Sequence, residues 1–175
     1  MYAPKGVAAL YRRREIELEP IMYGGPQEFG TRPGTENVAF AVALPAACEM
    51  AGEICLEAGR LRLLRDTLFD ALSAALRRRV VLNGHPTQRL PNMVNVSIEG
   101  IDGQQLLWAS REIAASTQSA CHSASDKPSG VLTAMGNPAD RARGALRLSL
   151  GRTTGGDDVR RGVYLLSHAV NTVSS

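Results

Sequence analysis

Long apolar runs, metal-type cysteine spacing and an extended basic stripe are all missing from this sequence of 175 residues. No uninterrupted apolar run approaches the roughly 20 residues that cross a bilayer, so no membrane segment is expected. The three cysteines, Cys48, Cys55 and Cys121, are odd in number and lack the spacing of metal ligands. A disulfide framework is therefore not expected, nor a metal site, and the usage fits a reducing, cytoplasmic setting. The net charge is only +3. Arg12, Arg13 and Arg14, like Arg77, Arg78 and Arg79, form short clusters at the ends of apolar segments. They read as solvated ends, the second favoured by the negative pole of a preceding helix. Without a longer stripe there is no case for a nucleic-acid partner. Met1 to Gly6 contains Pro4 and Lys5 and does not read as a signal peptide.

What is present is ordinary globular material. The sequence is 44% hydrophobic and 21% charged, enough for one domain with a sizeable core. Residues 6–12 (GVAALYR) read as a short buried strand. Residues 15–35 carry Pro20, Gly24, Gly25, Pro26, Gly30, Pro33 and Gly34, a long loop of the kind that is often functional. An Ala-rich helix is expected over residues 37–58, with Pro45 kinking it or marking a late start. Gly59 should break it. A second helix over residues 61–79 places Leu61, Leu64, Leu68, Leu72 and Leu76 on one stripe. Strands are expected at residues 80–82, at the alternating Val94, Val96 and Ile98, at residues 113–115, and at residues 145–150. Asp102 with Gln105 resembles a capping box before a helix at residues 104–111. Asn137-Pro138 reads as a helix start running through Arg143. Asp157 or Asp158 should start a terminal helix over residues 159–173. Strands and helices interleave without a repeat, so the class is α/β or α+β.

Three residues stand out chemically, each with a plain alternative. Cys121 lies in Ser119-Ala120-Cys121-His122-Ser123, among small polar residues. A thiol on such a loop can reach a substrate and retract, and His122 can favour the nucleophilic thiolate. Cys48 and Cys55 instead sit in apolar company, seven positions apart on one helical face, and read as core. Arg147 alternates with Leu146 and Leu148, so it takes the opposite face of its strand. Its guanidinium matches a carboxylate bidentately, although an arginine on a wet strand face needs no such role. Thr35, in Arg32-Pro33-Gly34-Thr35-Glu36-Asn37, stands where a turn enters a helix. That entrance can receive a phosphate, or it can simply be a cap.

Taken in order, these segments resemble one family. Tyr2-Ala3-Pro4-Lys5-Gly6, Gly24-Gly25-Pro26-Gln27-Glu28, residues 32–37, Arg89-Leu90-Pro91-Asn92, the Cys121 loop and residues 145–154 are similar to the C-terminal half of class-V aminotransferase-like cysteine desulfurases. The Ala-Cys-His-Ser loop and Arg-Pro-Gly-Thr-Glu-Asn also look like selenocysteine lyase. The resemblance spans essentially the whole chain. It implies an α/β fold: the C-terminal small domain of a fold-type I, pyridoxal-phosphate-dependent transferase, plus the last strand and loop of the large domain. Residues 1–50 would be the terminal part of the large cofactor-binding domain, and residues 51–175 the small α/β domain.

The resemblance also implies roles. Cys121 matches the cysteine that takes sulfur from L-cysteine, or selenium from L-selenocysteine, to leave L-alanine and a persulfide. Arg147 matches the arginine that binds the substrate α-carboxylate. Thr35 matches the threonine that reaches the phosphate of the partner subunit's pyridoxal phosphate, which implies a homodimer. Sulfur-acceptor proteins are implied as further partners. The departure is large: in the family the lysine that anchors the cofactor lies just before the position of Met1. The two lysines of this sequence are Lys5, which matches a loop lysine just beyond it, and Lys127, in the cysteine loop. Pro26 and Phe29 in the glycine-rich loop are smaller departures. The chain is therefore expected to act only with an upstream half supplied. The alternatives are a non-catalytic module for dimerisation or partner binding, and a plain thiol sulfur carrier. Without the rest of its sheet, the segment up to Asn37 is expected to be disordered or paired with another chain.

Overall fold

A computed structural model describes residues 2–77, 79–117 and 128–174. The chain divides into two units, Met1–Cys55 and Leu56–Ser175, and each is best understood separately.

In the first unit the expected strand at residues 6–12 does not form; among the described residues no regular element precedes a short 3-10 turn at Gln27–Gly30. The reason is physical. A strand is stabilised by a neighbour's ladder, and no segment of this unit offers one. Leu10, Tyr11, Ile21 and Tyr23 stand exposed as a result. Within the turn, Glu28 and Phe29 both adopt left-handed backbone (φ 50° and 57°), a conformation that costs non-glycine residues about 1 kcal/mol or more each. Helix α1 (Val38–Met50) then starts at Asn37, whose side chain accepts from the Phe40 N–H at 3.2 Å.

The expected break at Gly59 is not there. The irregularity falls earlier, in a 3-10 turn at Ala51–Glu53, and helix α2 (Ile54–Ala75) runs straight through Gly59. An interior glycine costs about 1 kcal/mol, which the burial of Leu61, Leu68 and Leu72 along the same helix readily offsets. The contiguous stretch Val38–Ala75 also holds an 18-residue window long and apolar enough to cross a membrane. The sequence reading missed it because Glu49 and Glu53 interrupt the apolar letters.

The second unit is built on strands β1 (Val80–Leu82), β2 (Met93–Ile98) and β3 (Ala145–Ser149), antiparallel in the order β1-β2-β3. Alternation decides its two faces. Val94, Val96, Ile98, Leu146 and Leu148 point one way and are buried. They meet Leu68, Leu72 and Leu76 from α2 and its end, Leu106 from α3 (Gly103–Ala109), and Leu166, Ala169 and Val170 from α6 (Gly156–Val173). Helix α3 is capped by Asp102, which accepts from the N–H groups of Gln104 and Gln105. Helix α6 starts at Gly155, whose N–H donates to Asp158 at 2.8 Å. A corner where α3 and β3 begin is too tight for a side chain. A Cβ at Gly103 would lie 2.6 Å from the Ala145 carbonyl oxygen, and one at Gly144 would lie 2.8 Å from those of Ile98 and Ile101.

The opposite face carries two short helices, α4 (Gly130–Ala134) and α5 (Ala139–Arg143). Leu132, Ala142 and Ala145 form a small apolar cluster there. Two expectations change here. Asn137 does not cap α5; its amide donates to the Leu132 carbonyl at the end of α4, and Pro138 takes the cap position. Residues 113–115 contribute no strand. Among the described residues of this segment, pairing with β3 is a single bridge between Ser116 and Arg147.

Candidate functional site

Arg147 occupies the middle of β3, half-buried, on the face away from the main core. Both its backbone groups bond outward to Ser116: the Arg147 N–H donates at 2.6 Å and its carbonyl accepts at 3.3 Å. The side chain makes no hydrogen bond or ion pair with any described residue. The sequence reading of Arg147 as a polar-face residue on a half-buried strand matches this placement.

Around it lies a polar layer that the sequence did not reveal. Arg141 in α5 donates through Nε to Asn83 Oδ1 at 2.9 Å and through Nη2 to the Leu82 carbonyl at 2.8 Å. Asn83 is buried and donates through Nδ2 to Asn95 Oδ1 and Ser97 Oγ, each at 2.8 Å. Ser97 donates onward to the Arg141 carbonyl at 2.7 Å. Asn95 and Ser97 share the face of Arg147, and Asn95 is its direct cross-strand partner. The only signal was the polar letters alternating within β2; the participation of Asn83 and Arg141, 58 positions apart, has no local signature.

The loop after β3 is held from α2. Arg60 donates to the carbonyls of Thr154 at 2.6 Å, Arg152 at 3.1 Å and Gly151 at 3.2 Å, and pairs with Glu57 at 2.7 Å. The hydrogen bond from Arg60 holds the Glu57 carboxyl below the ordinary glutamate range, against the opposing effect of desolvation and with smaller help from the charges of Arg60 and Arg152. Arg152 therefore belongs to the clamp on this loop, in contrast to Arg147.

The remaining candidates are not brought to Arg147. Thr35 is exposed in the first unit, two residues before the Asn37 cap, beside Gly34 at φ +105°. Helix capping there falls to Asn37, so the Thr35 hydroxyl is not consumed by the helix it precedes. Lys5 is exposed in the same unit. Cys121, with His122 and Lys127, lies outside the described residues. Two hollows mark the second unit, one between α6 and Ile113-Ala114, the other over Gly100–Asp102 and Arg143, and neither includes Arg147.

Cys48 and Cys55 correct the sequence reading. Both are exposed rather than core. Their apolar neighbours Val42, Met50, Ile54 and Leu56 are exposed with them, so apolar company marks a face that this chain leaves uncovered. Timed alkylation of the native chain at neutral pH, read by peptide mass, is expected to modify both thiols within the time taken by a small exposed thiol peptide. Protection of either by ten-fold or more would contradict the exposure.

Comparison with known proteins gives these features a setting. Residues 1–161 match the family model described as aminotransferase class-V. The chain is 48% identical over 161 residues to cysteine desulfurase IscS of Methanosarcina thermophila, covering 90% of this chain and 39% of that protein. It is 43% identical over 178 residues to cysteine desulfurase IscS 1 of Archaeoglobus fulgidus, covering 100% of this chain and 46% of the relative. A solved NifS-like protein superposes with a TM-score of 0.79 at 27% identity, covering 93% of this chain and 41% of that one. The NifS-like protein of Rickettsia africae gives 0.74 at 26%, covering 89% and 41%. The chain thus spans less than half the length of these relatives. The match runs through both units, and the small sheet with its flanking helices fits part of the α/β fold of those NifS-like enzymes. On these grounds the chain belongs to the class-V aminotransferase family.

Proposed function

We propose that this chain is the C-terminal portion of a cysteine desulfurase, holding the substrate carboxylate on Arg147 and receiving sulfur on Cys121. The observation that carries the reading is the half-buried Arg147 in the middle of β3, its side chain without a hydrogen bond or ion pair among the described residues. Residues 1–50 would complete the large domain and residues 51–175 form the small one. Pyridoxal phosphate, on which the family depends, supplies the electron sink that loosens the bonds of a bound amino acid. The described residues fit the substrate end of that chemistry and not its anchoring end. Lys5 is exposed on a loop, and no described group encloses a ring.

The work of this chain's own residues follows from their chemistry. The Arg147 fork orients an amino acid by its carboxylate and fixes where its side-chain sulfur lies. Cys121 as thiolate attacks that sulfur, forming an S–S bond as the C–S bond breaks, with its electron pair left on the carbon that becomes alanine. His122, adjacent in sequence, is suited to take the thiol proton. Thr35 would donate its hydroxyl to the cofactor phosphate of a partner subunit, which makes a homodimer part of the proposal. The exposed apolar face of α1 is consistent with cover from the missing half or a second subunit. Selenocysteine as an alternative substrate, sulfur-acceptor proteins and a cytoplasmic location complete it.

The test is whether either lysine can replace the missing anchor. Borohydride reduction of the chain with micromolar pyridoxal phosphate, followed by peptide mapping, is expected to label neither Lys5 nor Lys127 stoichiometrically. Stoichiometric labelling of one of them would show that the chain anchors the cofactor itself, and the division of labour proposed above would be wrong.

A further inference from the structure

The polar layer under β2 has a fixed direction, and that direction ends at Arg147. A guanidinium can only donate. Arg141 Nε donates to Asn83 at 2.9 Å, so the oxygen of the Asn83 amide must face Arg141 and its NH2 must face the strand. That NH2 meets Asn95 at 2.8 Å and Ser97 at 2.8 Å. Ser97 can accept because its own hydrogen goes to the Arg141 carbonyl at 2.7 Å. Asn95 must then present its oxygen to Asn83. Its NH2 is left without a partner among the described residues, on the sheet face it shares with Arg147. Arg141 thereby removes the amide-flip ambiguity that an isolated asparagine would have.

The register sets Asn95 directly opposite Arg147 on neighbouring strands. Because Arg147 spends its N–H and carbonyl on Ser116, its pairing with Asn95 is of the non-hydrogen-bonded kind. In such pairs the Cα atoms approach to about 4.5 Å and the side chains are closest. Two sets of donors, one charged and one neutral, therefore project from neighbouring positions of one sheet face, without an acceptor for either among the described residues.

We propose that Asn95 is a second ligand to the carboxylate held by Arg147, its amide donating to one carboxylate oxygen while the guanidinium grips the group from the other side. The proposal rests on the reading of Arg147 as the carboxylate anchor, and adds that the small amino acid is selected by two residues on adjacent strands. Asn83 and Arg141 act as positioning residues through Asn95.

The test uses the isotope-labelled chain and L-alanine as probe, with ethylamine as the control lacking a carboxylate. Side-chain resonances of Asn95 (Nδ2–H2) and Arg147 (Nε–H) are followed to high millimolar ligand. Both are expected to shift along one binding curve with L-alanine and to stay still with ethylamine. The Asn95→Asp variant keeps an oxygen facing Asn83 but loses the donor and adds a repelling charge. It should weaken L-alanine by about ten-fold or more. A shift of Arg147 without Asn95 would overturn the proposal and leave the anchor reading intact. Stillness of both, or equal shifts with ethylamine, would overturn both. If Asn95→Asp does not fold, the resonances of the unsubstituted chain still decide.

Discussion

Asp66→Ala is expected to destabilise the chain by about 3 kcal/mol. Arg65 is buried, its side chain 3% exposed, and donates through Nε to Asp66 at 2.9 Å and through Nη1 to the Leu90 carbonyl at 2.8 Å. Arg89, 14% exposed, donates to the same Asp66 oxygen at 3.0 Å, while its Nε and Nη1 are buried without partners among the described residues. One carboxylate thus serves two desolvated guanidinium groups. Removing it leaves two like charges whose remaining acceptor among the described residues is the Leu90 carbonyl, bound by Arg65. The loss of a buried pair's partner is typically about 3–5 kcal/mol, and we take the lower end because Asp66 is itself 43% exposed and partly screened. Asp66→Asn keeps an acceptor but no charge, and should fall between wild type and alanine. Urea unfolding followed by circular dichroism measures both, with an unchanged slope required for the comparison. A loss under about 1 kcal/mol for alanine would mean that water already satisfies these arginines.

The same pair shows why part of the structure was legible in the sequence and part was not. Val94, Val96 and Ile98 announce their strand because one buried face imposes a period of two, and Leu146 and Leu148 do the same while throwing Arg147 to the other side. Leu68 and Leu72 announce α2 by the helical period. These are local consequences of burying one face. Arg65 lies on the same helix yet is buried with the leucines, because its acceptors are Asp66 and the distant Leu90 carbonyl, a relation no period encodes.

The first unit failed for a different reason. Gly6 to Arg12 has strand-like letters, and Cys48 and Cys55 have core-like neighbours, but burial and pairing require a second surface. This chain spans less than half the length of its relatives, and among the described residues nothing covers the exposed apolar side chains around α1. Apolar character was read correctly; its location was not. Gly59 was misread because a glycine's preference is weak against the packing of the helix around it. At the candidate site, the place of Arg147 on the polar face of β3 was legible from alternation, whereas the roles proposed for Cys121 and Thr35 came from the resemblance alone. The role proposed for Asn95 had no local signature, because it depends on which way an amide points, fixed by Arg141 from across the sheet.

The most direct measurement of the central claim joins an upstream half bearing the cofactor lysine to this chain and compares Arg147→Lys with Arg152→Lys. Lysine keeps the charge but loses the two-pronged geometry that grips a carboxylate. Loss of a charge-assisted hydrogen bond of this kind corresponds to about 2–3 kcal/mol, or roughly 30- to 150-fold in kcat/KM. Arg152 sits instead on the loop held by Arg60, where its carbonyl accepts at 3.1 Å and its charge helps depress the Glu57 carboxyl. Its replacement by lysine preserves that charge and should cost little. Steady-state kinetics with L-cysteine, reading alanine formed, are predicted to show the large loss at Arg147 and only a few-fold change at Arg152. Comparable losses at the two positions, or a larger one at Arg152, would contradict the assignment of the substrate carboxylate to Arg147.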